Sequence, residues 1–243
     1  MGRGRWVIIT AAVAALVFAR LPAAIGQDDG DLRRSFGAFL RTQEMVIDSV
    51  PDLYPGGYAR ISLHARNANL GGMVVDDVWV KLVGVSLDPA ALQQGKLRVL
   101  DYRGTAIHGQ VGVRRLQDFF SSGGAIKDLQ VWSDGTSLYG EGSFPYEGVK
   151  LRVWLKGQFS VDGTKEVHFH IENMTVDGFP VFSPIIRVLE DKINPVLSQR
   201  DWPVTFTLKS LQMTKEGFVL SSQPDALAPC AFCLRSDESV GRP

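Results

Sequence analysis

The groups in this chain with the widest chemical reach are four histidines and two cysteines. Glu166, His168, His170 and Glu172 alternate with Val167, Phe169 and Ile171. Side chains on a strand point alternately to its two faces, so the four polar groups share one face. A His-x-His pair on a strand offers two metal ligands, and a neighbouring carboxylate a third. The apolar opposite face supports a plainer reading, a solvated surface backed by a buried one. A complete ligand set would have to draw on His64 or His108, and nothing in the sequence brings them there. A metal-dependent enzyme using His168 and His170 is therefore the third of three functional readings, behind the two given below.

Cys230-Ala231-Phe232-Cys233 is the other reactive spacing. A zinc site would need a second pair, which is absent. A thioredoxin-like site would need the first cysteine at a helix start behind a buried strand. This pair instead follows Pro229 in a stretch that reads as a tail. The expectation is a local disulfide between Cys230 and Cys233, formed in an oxidising compartment. There is no G-x-S-x-G, no P-loop and no G-x-G-x-x-G opening a helix. Carboxylates are scattered, with no pair spaced for acid–base work. The sequence thus predicts no catalytic residues, no metal and no cofactor, and a binding protein instead of an enzyme.

With 45% hydrophobic and 21% charged residues the chain has globular composition. Its 26 basic and 26 acidic residues balance, which leaves no nucleic-acid footprint. No lysine-rich run is present to hold it on an anionic membrane. At the N-terminus Arg3 and Arg5 precede Trp6 to Ala19, apolar except for Thr10. Arg20 ends that run, and Ala24 and Gly26 suit cleavage before Gln27. The run falls short of the roughly 20 apolar residues of a bilayer span. An uncleaved anchor over Trp6 to Ile25 would place Arg20 in the bilayer, which is costly. Residues 1–26 are read as a signal peptide and the protein as exported.

The elements that must position everything else follow from periodicity. Acidic residues at Asp28, Asp29 and Asp31 suit a helix start. Leu32, Phe36, Phe39, Leu40, Val46 and Ile47 then keep one apolar stripe along about five turns, until Pro51 and Pro55-Gly56-Gly57. From Tyr58 the period is two, with Ile61, Leu63 and Ala65, then Val78, Val80 and Leu82, and Gly71-Gly72 turning between them. Lys96 to Asp101 reads as a strand and Val113 to Ser122 as a short helix with Leu116, Phe119 and Phe120 inward, broken by Gly123-Gly124. Residues 126–178 read as four meandering strands with tight turns at Asp134-Gly135 and Asp162-Gly163. Ser183 and Pro184 open a second helix, where Ile185, Leu189, Ile193 and Leu197 repeat at four-residue spacing and Pro195 forces an end near Asn194. Val204, Phe206 and Leu208 point inward on a further strand, Gly217 to Ser221 forms another, and residues 223–243 read as a disordered tail.

Two apolar-striped helices thus bracket a run of antiparallel strands, and an antiparallel sheet must cover its apolar face. The expected fold class is α+β, with a long curved antiparallel β-sheet wrapped around two amphipathic helices in one domain over residues 27–222. The stripes place Phe36, Phe39, Leu40, Ile47, Ile185, Leu189 and Ile193 inside, joined by Val153 and Phe169 from the strands. These residues close a core or leave it partly open for acyl chains. Each buried methylene contributes about 0.8 kcal/mol, so a two-chain lipid needs no specific polar contact. Trp79, Trp154 and Trp202 would suit the rim of such an opening.

One sequence order resembles a known family. Val176-Asp177-Gly178-Phe179-Pro180-Val181 leads into a helix ending Asp191-Lys192-Ile193-Asn194-Pro195. Trp202-Pro203-Val204 and Lys215-Glu216-Gly217-Phe218-Val219-Leu220 follow. This succession resembles the LmeA-like phospholipid-binding proteins of the bacterial envelope, best over 176–221 and more loosely over about 30–222. The chain departs from that pattern in its Cys-x-x-Cys tail and in Pro195 after Asn194. The resemblance implies a tubular lipid-binding fold and a periplasmic or envelope-associated location. The ligand it implies is a phospholipid or another acyl-chain molecule, with peripheral membrane contact. It carries no catalytic residues. The leading expectation is a non-enzymatic envelope protein that binds, transfers or presents phospholipid in an apolar groove. The second is a closed-core structural or adaptor module of the envelope.

Overall fold

The computed structural model describes residues 29–122, 126–163 and 165–234. The signal segment 1–26, the Gly123-Gly124 break and residues 235–243 of the tail lie outside them.

Helix α1 (Asp29–Leu40) carries Asp29 and Asp31 in its first turn, where carboxylates favour the positive end of the helix dipole. It stops well before its apolar spacing suggests. Arg41 takes a left-handed φ of 51°, and the Thr42 N–H closes on the Gly37 carbonyl at 3.1 Å. Val46 and Ile47, expected in the last helical turns, belong to strand β1 (Met45–Pro51). There Met45 and Ile47 are buried and Val46 is exposed. The spacing satisfies both periods, the β-branched side chains favour a strand, and pairing with β2 decides.

The first sheet has the order β1-β2-β3-β5-β13-β12, with β4 beside β3. Its members are β2 (Gly57–Leu70), β3 (Met73–Leu87), β4 (Val99–Asp101), β5 (Gly104–Gly112), β12 (Ser210–Thr214) and β13 (Gly217–Ser221). Gly71 and Gly72, both at positive φ, turn β2 into β3 as expected. Ile61, Leu63 and Ala65 lie opposite Leu82, Val80 and Val78, which builds one apolar wall. Leu32, Phe36 and Leu40 of α1 close over it. The short helix α2 (Pro89–Gln93) is capped by the Asp88 carboxylate, which accepts from the Ala90 and Ala91 N–H groups.

Helix α3 (Val113–Ser122) buries Leu116 and leads into a second antiparallel sheet of order β10-β9-β8-β7-β6, with β11 also on β9. It comprises β6 (Lys127–Ser133), β7 (Leu138–Tyr146), β8 (Val149–Asp162), β9 (Glu166–Val176), β10 (Phe179–Pro180) and β11 (Leu197–Ser198). Helix α4 (Ser183–Ile193) begins with proline in its first turn, but Phe182 and not Ser183 is its N-cap.

The two sheets share one core at an aromatic junction. Phe159 lies 5.0 Å from Phe169 and 4.9 Å from Phe218, and Phe120 lies 5.2 Å from Phe169 between ring centroids. A Cβ on Gly157 would sit 2.5 Å from Phe169 Cζ, so this strand position must be glycine for the ring to lie flat against β8.

The α+β class with antiparallel sheets stands. The strands form two sheets in place of one long one, with α1 on the first and α4 along the second. Leu197, expected at the end of the second helical stripe, is buried in β11 instead. Val204, Phe206 and Leu208 are buried as expected, yet pair with no strand, because Gln199 satisfies the Phe206 N–H and carbonyl with its side-chain amide. The tail is placed as far as Leu234. Gln223 bonds the Pro229 carbonyl and the Ala231 N–H, and Ala226 is buried.

Tyr58 is fully buried and its hydroxyl has no partner among the described residues. Burial first, then Asp29 and Asp31, pushes the phenol up from 10.0 to about 12. The folded state therefore holds the neutral phenol. Its contribution is fully present below pH 10 and is lost as pH rises through about 12. Tyr58→Phe removes an unsatisfied polar group and should raise the unfolding free energy by about 1 kcal/mol at neutral pH. It should also lessen the alkaline loss, both read by urea denaturation.

Candidate functional site

The second sheet extends beyond the aromatic junction, and α4 runs along its edge. Strand β9 pairs with β8 on one side. Its other side pairs only at the ends, with β11 at Glu166 and Val167 and with β10 at Thr175 and Val176. Between them side chains of α4 take the place of a strand. Asn194 accepts from the Phe169 N–H at 2.7 Å and donates to the Phe169 carbonyl at 2.9 Å. Glu190, one turn earlier, accepts from the Ile171 N–H at 2.6 Å. The Val181 N–H bonds the Met174 carbonyl at 2.9 Å. These contacts fix the direction of α4, with its C-terminus at the junction and its N-terminus at the far end of the sheet.

One face of this sheet is apolar over its whole length. Cross-strand partners point the same way, and the register aligns Phe144 with Leu151, Val153 with Val176 and Leu155 with Met174. Val176 in turn faces Phe179. Val153 and Met174 are buried, but exposure grows towards the far end. Phe144, Tyr146 and Val149 are exposed there, and Phe179 reaches 76%. Helix α4 adds Phe182 at 77%, Ile185 and Val188. Nearly half of the exposed large apolar side chains among the described residues gather at this end. No residue of α4 is buried, although Ile193 packs against the core from its apolar flank. That flank also carries the half-buried Ile186 and Leu189, so an apolar helix flank runs along the edge of a sheet whose one face is apolar.

Val153, Phe169, Ile185, Leu189 and Ile193 all belong to this second-sheet region, with Phe169 in the junction at its inner end. Phe36, Phe39, Leu40 and Ile47 do not. They belong to the first sheet's core. Phe36, Phe39 and Leu40 line a void there of about 20 Å³, room for about one water and not for an acyl chain. The three tryptophans are not gathered at one rim. Trp202 packs on Phe39 and Phe206, Trp79 on His64 at 4.4 Å, and Trp154 beside Tyr139.

The histidines split between the sheets. His168 Nε2 lies 3.3 Å from Glu166 Oε2, and His170 Nε2 lies 2.9 Å from Ser160 Oγ. Ser198 donates to Glu166 and, with His168, holds its carboxyl below the usual range. His64 and His108 flank Trp79 on the first sheet. His64 bonds Asp77 at 2.6 Å, and burial pushes the His108 imidazole down. No cluster of three or more metal-ligating side chains occurs among the described residues. Cys230 and Cys233 are disulfide-bonded, in a loop that lies near Trp79 and His108.

Sequence reading missed Phe144, Tyr146, Phe179 and Phe182, which sit beside the Glu147-Gly148 and Asp177-Gly178 turns. Paired turns flanked by aromatic residues were the available signal. Glu190 and Asn194 gave none, since a polar side chain that closes a strand edge looks like any other helical residue. No protein-family model, curated protein or solved structure matches the chain.

Asn194→Ala leaves the Phe169 N–H and carbonyl without partners in a half-buried position. It should cost about 2 kcal/mol of stability and free the C-terminal end of α4, read as faster amide exchange at Phe169 and Ile171.

Proposed function

We propose that the protein is an exported, non-enzymatic carrier that holds the acyl chains of a phospholipid in a trough between α4 and the second sheet. The observation that carries this reading is the apolar far end, where aromatic and aliphatic side chains from two hairpins and the start of α4 stand in solvent together. An exposed apolar patch rimmed by polar groups marks a site for a partner or a membrane. In this reading the apolar sheet face and the apolar flank of α4 are the two walls, and their half-buried residues gain contacts when chains lie between them. Burial of methylenes at about 0.8 kcal/mol each supplies affinity without a dedicated headgroup contact. The far end would then rest on the membrane while a lipid enters. The tubular lipid-binding architecture and the envelope location belong to the same reading, supported by the resemblance of residues 176–221 to LmeA-like proteins.

The closed first core favours a second reading, an adaptor module whose apolar end meets another envelope protein. Native mass spectrometry on residues 27–243, purified without detergent, separates the two. A carrier gives heterogeneous adducts at phospholipid masses, near one per chain. A mass that stays clean after incubation with liposomes rejects the carrier and favours the adaptor.

Phe182→Asp combined with Val188→Asp places two charges in the exposed flank of α4. The pair should abolish lipid adducts and change unfolding free energy by less than about 0.5 kcal/mol, as expected of exposed positions. Adducts that persist in the folded variant would move the ligand out of this trough.

A further inference from the structure

Two other grooves among the described residues mix charges of both signs. The one by the Asp162-Gly163 turn sets Lys165 and Arg200 against Asp162 and Glu166. The one beside the β7–β8 hairpin sets Lys150 and Arg152 against Asp128 and Glu141. The groove along the outward flank of α1, about 530 Å³, is lined by Arg33, Arg34 and Arg41 and, among the described residues, by no carboxylate. In a chain with 26 basic and 26 acidic residues this is local segregation of charge, not a general excess.

The groove is built by helical spacing. Gly30, Arg33 and Gly37 follow one another three or four residues apart on α1, so they share a flank, and Arg41 follows where the helix ends. A Cβ on Gly37 would lie 2.9 Å from the Thr42 carbonyl oxygen, so glycine lets the chain after the helix close against it, and Ala38, Thr42, Gln43 and Met45 complete the lining. Arg33 donates from Nη1 to the Met45 carbonyl, which holds its guanidinium across the groove towards β1. Arg34 pairs with Asp31 at 2.8 Å on the exposed side. Arg41 has no ion pair or hydrogen bond among the described residues, and its left-handed backbone sets it where the helix ends and the chain turns.

We propose that this groove binds a phosphate group between the guanidinium groups of Arg33 and Arg41, with Arg34 in support. A guanidinium presents paired N–H donors in a planar fork that matches two phosphate oxygens. Two such groups lining one groove can neutralise one phosphate together. Two sources carry this chemistry, the headgroup of an anionic phospholipid at a membrane surface and a free phosphorylated solute. The inference does not rest on the acyl-chain trough, because none of these residues belongs to the second sheet or to α4.

The test uses the full chain and the double variant Arg33→Gln/Arg41→Gln, which keeps long polar side chains and removes the charge. The probes are inorganic phosphate, followed by titration calorimetry, and phosphatidylcholine vesicles with and without phosphatidylglycerol, followed by cosedimentation. We expect wild-type binding that weakens with salt and falls about tenfold or more in the double variant. Phospholipid adducts in native mass spectra should stay unchanged, which separates this site from the trough. Titration by inorganic phosphate assigns a free phosphorylated solute. Binding that requires phosphatidylglycerol, without phosphate titration, assigns the headgroup. Absence of binding to both probes overturns the proposal, as does binding that the double variant retains. Arg41→Gln alone breaks no contact of the fold and should by itself weaken binding about threefold or more. If it has no effect the proposal fails, whatever the double variant does.

Discussion

The two sheets share a core where Phe120, Phe159, Phe169 and Phe218 meet, with ring centroids about 5 Å apart. Each ring buries a large apolar area, and tilted contacts suit the aromatic quadrupole. The cluster draws on α3, β8, β9 and β13, so it ties the last strand of the first sheet to the middle of the second. It also ends the core. Beyond Val153 and Met174, which are buried, the apolar face of the second sheet becomes exposed towards its far end.

Helix α4 is held differently from α1. Helix α1 buries Leu32, Phe36 and Leu40 and is fixed by apolar contact. Helix α4 buries nothing and is tied by the Asn194 and Glu190 side chains to the rim of a strand. A helix attached at one end by polar contacts, with few buried apolar neighbours, belongs to the low-stability part of a fold. Its apolar flank can therefore shift without disturbing the packed half of the molecule.

Much of the strand framework was legible. Period-two runs at Ile61 to Ala65, Val78 to Leu82, Leu151 to Leu155 and Val167 to Ile171 are strands, and the Asp-Gly and Gly-Gly turns lie between them. The end of α1 was not legible, because Leu40, Val46 and Ile47 satisfy a helical period and no residue type announces the left-handed Arg41. Nor was the division into two sheets. It depends on β13 pairing with β5 across the whole second sheet in sequence, and local patterning carries no such information. The site was half visible. Apolar spacing picked out Ile185, Leu189 and Ile193, but a stripe reads the same whether it faces a core or solvent. The same ambiguity put Phe36, Leu40 and Ile47 in one group with them.

The far end of the second sheet combines exposed aromatic side chains with strands that reach past their neighbours, an arrangement that invites other chains to add on as new strands. Here the backbone does not offer itself. The Arg152 N–H donates to the Asp177 carboxylate at 2.7 Å, the Arg152 carbonyl accepts from the Asp177 N–H at 2.8 Å, and Asn194 does the same for Phe169 further along. Exposed apolar side chains and open hydrogen-bonding groups are thereby kept apart on this side of β8 and β9, which works against its serving as a template for cross-strand polymerisation.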